Sequence, residues 1–130
     1  MSTPNEDRMA LAKIGFFLCR EGLIVEAEGV FRGLAESDPE RDGPAAGLAL
    51  CLIIKGDSDG AVRLLDRRLA KGEACAIPDQ LNQYKLVALG MGGRMREAEN
   101  LRDEMKREGL TGMASNADAI LGELKQIRTR

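Results

Sequence analysis

Residues 21–31 read EGLIVEAEGVF, and two later stretches echo them: 55–65, KGDSDGAVRLL, and 92–101, GGRMREAENL. In each, a glycine is followed five residues on by an alanine: Gly22 and Ala27, Gly56 and Ala61, Gly93 and Ala98. The first interval is 34 residues and the second 37, with the extra residues near Pro78 in KGEACAIPDQ. A self-similarity at this period marks helix-turn-helix units that bury a core only by stacking on one another.

Working outward from the three glycines, helices are expected at 7–20, 24–37, 44–55, 59–71, 78–91 and 95–108. Glycine at each turn supplies a backbone conformation that other residues resist. Asp57 or Ser58 can cap the fourth helix, and Gly72 can end it. In 113–127 the apolar residues Met113, Ala117, Ile120, Leu121, Leu124 and Ile127 recur at helical spacing. A stack needs a cap over its last open face, so this seventh helix is expected to cap the array; folding back into a groove is the other course open to it. GMGG at 90–93 lacks the strand and the Lys-Ser/Thr of a phosphate-binding loop and reads as the third repeat turn.

The 34-residue spacing resembles that of the tetratricopeptide repeat family. That family's large positions hold Leu11, Ile14, Leu18 and Phe31 in the first repeat, its small ones Gly15 and Ala27, and its proline Pro39. The second repeat holds Ala45, Leu48, Leu52 and Leu65 with Ala49 and Ala61, and lacks the proline. The third is degenerate, with Arg102 at a large apolar position. The resemblance implies an all-α solenoid: a flexible N-terminus at 1–6, repeats at 7–40, 41–74 and 78–110, and a C-terminal amphipathic helix at 111–130.

One segment, GPAAGLALCLIIKG at 43–56, carries no polar side chain from Ala45 to Ile54. A helix apolar all round is buried all round. In the family the first helix of each repeat lines a concave groove. By that resemblance the groove positions are Met9, Ala12, Phe16, Cys19 and Arg20, then Gly43, Ala46, Leu50, Ile53 and Ile54, then Gln80, Gln83, Val87, Gly90 and Met91. In the third repeat a one-residue shift would substitute Leu86 and Leu89. The partner-binding set is therefore Met9, Ala12, Phe16, Cys19, Ala46, Leu50, Ile53, Ile54, Val87 and Met91. On this reading the second face of the apolar helix serves the groove, and the expected occupant is a helix with anchors at i, i+3, i+4 and i+7.

GLIVEAEGVFRGLAESDPE and LALCLIIKG are similar in character to the small tetratricopeptide chaperones of bacterial type III secretion systems, above all the co-chaperone of the needle subunit. That resemblance implies a client, the amphipathic helix of a secreted needle protein kept from premature polymerisation, and a second small chaperone. A translocator chaperone of the same systems and a generic tetratricopeptide scaffold are the alternatives. A homodimer is possible when the chain is expressed alone.

Composition narrows the field. The net charge of -2 comes from 19 basic and 21 acidic residues in alternation, so no basic stripe awaits a nucleic acid. Histidine is absent, which removes the commonest general base and metal ligand, and Cys19, Cys51 and Cys75 lack the paired spacing of a zinc site. No enzyme, catalytic residue, metal or cofactor is expected. The apolar run of about ten residues is half a membrane span, and MSTPNEDR has no signal-peptide character, so a cytoplasmic protein is expected.

Overall fold

A computed structural model describes residues 3–75 and 77–108. Its α-helices are α1 (Pro4–Arg20), α2 (Ile24–Ser37), α3 (Gly43–Ile54), α4 (Ser58–Leu69), α5 (Pro78–Met91) and α6 (Met95–Arg107), with a 3₁₀ turn at Gly72–Ala74 and no strand among the described residues. The chain is an all-α helical-repeat solenoid: α1 pairs with α2, α3 with α4 and α5 with α6, and each pair packs on the next through α2 on α3 and α4 on α5. The segment 113–127 lies outside the described residues.

The three turns are built alike. Gly22, Gly56 and Gly93 have φ of 81°, 90° and 81°, the left-handed region. Each donates its N–H three residues back, to Cys19, Ile53 and Gly90, and the residue after it donates five back, to Leu18, Leu52 and Leu89, at 2.8–3.2 Å. This is the Schellman closure, which satisfies the last carbonyls of one helix while aiming the next antiparallel to it. Asp57 then caps α4, its side chain accepting from Gly60 N–H at 2.9 Å. The longer second interval has a local cause. Residues 38–42 join α2 to α3, whereas 70–77 join α4 to α5, and the excess of three matches the 3₁₀ turn.

Within the span 1–6, expected to be flexible, α1 already starts at Pro4. Thr3 accepts from Glu6 N–H and Glu6 accepts from Thr3 N–H, both at 3.1 Å, a reciprocal cap that holds the first turn. Pro4 at the first helical position donates no hydrogen bond that would be missed.

Phe31 locks the first two repeats together. Its fully buried ring lies over Gly15 of α1 and Gly47 of α3, so close that a Cβ on Gly15 would meet it at 2.7 Å and one on Gly47 would enter it. Phe16 meets it edge-on, with ring centroids 4.9 Å apart. In the second seam Leu65 is fully buried among Ala49, Ala61 and Leu86. The third repeat has Arg102 at the corresponding place, and Leu101 and Met105 of α6 fill the seam instead.

The apolar helix α3 is covered by four neighbours, α1, α2, α4 and α5. Most of α3 is central core; of the expected groove positions on it Ala46 and Ile53 are buried, while Leu50 and Ile54, like Leu48 and Leu52, retain exposure beyond Pro44 and the first residue. Conversely, Leu11, Ile14 and Phe17 of α1 are exposed, because no helix precedes α1 among the described residues to cover the face that α2 and α4 cover on α3 and α5.

Candidate functional site

The inner face is formed by α1, α3 and α5, which touch in that order. At the end where their N-termini gather, a concavity of about 690 Å3 is floored by Met9, Ala12 and Phe16 of α1, Leu34 of α2, Pro44 of α3 and Ile77. Gln80 joins it to a second hollow of about 440 Å3 formed with Gln83, Tyr84 and Val87 of α5. At the opposite end Met91 and Ile53 border a third, more polar hollow beside Gly56, Asp57 and Ser58.

The rim of the first concavity is fixed by ion pairs. Asp38 meets Arg8 at 3.8 Å and Arg41 at 3.3 Å, tying α1 to the loop 38–42. The far side of that loop is clamped to α4. Lys71 Nζ lies 2.6 Å from the buried Asp42 carboxylate and Arg68 lies 3.6 Å from it, while Arg68 donates to Pro39 O at 2.9 Å and Lys71 to Glu40 O at 3.3 Å. The rim pairs are solvated and contribute little each. Their consequence is positional: the loop that walls the concavity is held from both sides.

The sequence-derived residues divide into two groups. Met9 (54% exposed), Met91 (50%) and Ile54 (47%) offer large apolar surface, and Ala12, Phe16, Leu50 and Val87 are half-buried. Cys19, Ala46 and Ile53 are buried and offer no docking surface in this arrangement. Cys19 packs against Cys51, and Ala46 and Ile53 belong to the core shared with α4 and α5; the register position of Cys19 and Ile53 is buried in all three repeats, Gly90 included. The third-repeat register is settled by burial. Leu86 and Leu89 are core, and Val87 sits where Leu50 sits one repeat earlier.

Sequence reasoning passed over Leu34, Pro44, Ile77 and Tyr84, as well as the rim residues Arg8, Asp38 and Arg41. A rule confined to fixed positions on the first helix of each repeat has no place for a second helix or a loop. Tyr84 is the one large polar-tipped ring on α5, and its phenol is pushed up from the ordinary value by burial and by the nearby Cys19. Among the described residues no group of three or more His, Cys, Asp or Glu is placed to hold a metal ion, and no helix is long and apolar enough to cross a membrane.

Comparison with known families gives one finding: a PPR repeat matches residues 86–110, which spans the end of α5, the Gly93 turn and α6. It is a helical repeat of the tetratricopeptide-like kind, and it falls on the most degenerate of the three units. Domains of this architecture typically serve as protein–protein interaction scaffolds and are usually non-enzymatic. Neither the curated proteins nor the solved structures yield a match.

Proposed function

We propose that this chain is a non-enzymatic binding module whose inner face seats an amphipathic helix of another protein. The observation that supports it most is the concavity at Met9, Ala12, Phe16, Leu34, Pro44 and Ile77: apolar at its floor, charged at its rim and of a size for two or three side chains. Met91 and Ile54 extend apolar surface toward the other end. Three or four such contacts, at roughly 1.5–3 kcal/mol each on full burial, give a gross term on the order of 8 kcal/mol. Association and ordering oppose it, which leaves room for micromolar binding.

The narrower form of the proposal is a bacterial, cytoplasmic chaperone of a type III secretion system that holds the helix of a needle subunit with the help of a second small chaperone. It rests on the similarity of residues 22–40 and 48–56 to such chaperones. A translocator chaperone and a generic scaffold are its rivals, and an extended, proline-containing client would favour the translocator form. The net charge of -2 and the mixed rim give little hold on a phosphate backbone, so the proposal includes no nucleic acid.

The test is co-expression with neighbouring gene products, then light scattering of the purified species and anisotropy with labelled helical peptides from any partner. A defined complex whose affinity falls at least tenfold in Met9→Glu and Met91→Glu, with helicity unchanged, is expected. These side chains are half exposed, so the fold does not depend on them. Binding indifferent to both substitutions, or preferential binding of single-stranded RNA oligomers, would overturn the proposal.

A further inference from the structure

Cys19 and Cys51, 32 residues apart in sequence, meet with their sulfurs 3.6 Å apart between the last turn of α1 and the last turn of α3. Both are free thiols inside the core around Phe31. Cys75 lies in the other core cluster and has no such neighbour in sulfur contact. A disulfide needs the sulfurs at about 2.05 Å, so about 1.5 Å of approach must be found. Cys19 sits three residues before the Gly22 turn, at a helix end where backbone adjusts more readily than in a helix centre.

We propose that Cys19 and Cys51 form a reversible dithiol–disulfide pair that, when oxidised by a peroxide, locks α1 to α3 on the inner side of the array. The oxidant is hydrogen peroxide, small enough to reach Cys19, which keeps 6% of its surface while Cys51 keeps none. The Cys19 thiolate attacks one peroxide oxygen; the O–O bond breaks, and the departing hydroxide takes up a proton and leaves as water, giving a sulfenic acid. The Cys51 sulfur then attacks the Cys19 sulfur, the S–S bond forms as the S–O bond breaks, and the hydroxyl departs with the Cys51 proton as a second water. Two electrons pass from the sulfurs to the peroxide. Burial and the neighbouring sulfur push the Cys51 thiol up to about 12, which slows the second step because the thiolate is the attacking form; the step relies instead on the sulfurs being held 3.6 Å apart, with the Cys51 proton passing to the departing hydroxyl. Cys19, the more accessible of the two sulfurs, is the one that reacts first. The consequence is mechanical: the cross-link joins first helices of successive repeats on the side where the array would bend, and so fixes the angle between repeats one and two. None of this depends on what the inner face binds.

The test treats the full chain with hydrogen peroxide, once as the natural sequence and once as Cys75→Ser, then maps peptides without reduction. A Cys19–Cys51 linked peptide within one chain is expected in both, with an intact mass two hydrogens lower. The oxidised protein should melt about 5 °C or more higher, and dithiothreitol should restore the original transition. Recovery of Cys19 and Cys51 as unlinked thiols or sulfinic acids, or linkage only between chains, would overturn the proposal. The mapping leaves both cysteines in place, so a folding defect in a substituted protein does not blunt it.

Discussion

Replacing Gly47 by alanine should destabilise the protein, although alanine is the better helix former. In the middle of α3 the exchange gains about 1 kcal/mol from backbone entropy and propensity. Against this, the added Cβ would enter the Phe31 ring, which is fully buried and also pressed on Gly15 and Phe16, so it has no free direction of retreat. Overpacking of a closed core site costs about 1–3 kcal/mol, and this contact belongs at the upper end. The net loss is about 2 kcal/mol. With a urea slope of about 1–1.5 kcal/mol per molar, the midpoint followed by helical circular dichroism should fall by about 1.5 M. Gly29→Ala is the control. It sits within α2 with nothing within 4 Å of its added Cβ, and should stabilise by about 0.4–1 kcal/mol. Adding Phe31→Leu to Gly47→Ala should recover at least about 1 kcal/mol relative to additivity. A Gly47→Ala protein as stable as the Gly29→Ala one would refute the placement of that ring between α1 and α3.

Two further outcomes follow from the buried groups. Lys71→Met strips the nearer partner from the Asp42 carboxylate, whose side chain is only 1% exposed, and should cost about 2–3 kcal/mol in urea denaturation. Asp42→Asn should cost less, because Lys71 and Arg68 are about a quarter exposed and regain water; equal losses would contradict the clamp. Alkaline stability is the second. The folded Cys51 thiol titrates near 12, against an ordinary value of 9.0, so between these limits the unfolded chain sheds the proton first. Its contribution is intact below about pH 9 and disappears as pH rises through the folded value. The urea midpoint should therefore drop from pH 7 to about pH 10.5, and less so in Cys51→Ala, whereas a parallel drop in both would assign the effect elsewhere.

The period of glycine and alanine was enough, without coordinates, to place six helices within a few residues, because each Schellman turn needs a left-handed residue and each close crossing needs a small one. The start of α1 was missed by three residues, although Thr3 and Glu6 spell out the reciprocal cap. The inner face was legible only in part. Met9, Phe16, Ile54 and Met91 carry surface, whereas Cys19 and Ile53, at one register position, are buried in both repeats, and Ala46 is buried where Ala12 is half-buried. Nor could the sequence place Leu34, Pro44 and Ile77 around one concavity, since they come from a second helix and two loops.

What the sequence alone determined was local: where helices stop, which way the next one turns, and that α3 must be covered on all sides. Which neighbours cover it was decided by the stack. A middle helix meets its own partner, the preceding pair and both flanking first helices, so the same apolar pattern that would line an open face at the end of an array becomes interior at its centre. Leu11, Ile14 and Phe17 of α1 are exposed where Ala45 and Cys51 at the same register of α3 are buried and Leu48 is half-buried, so on that face the position in the array decides burial.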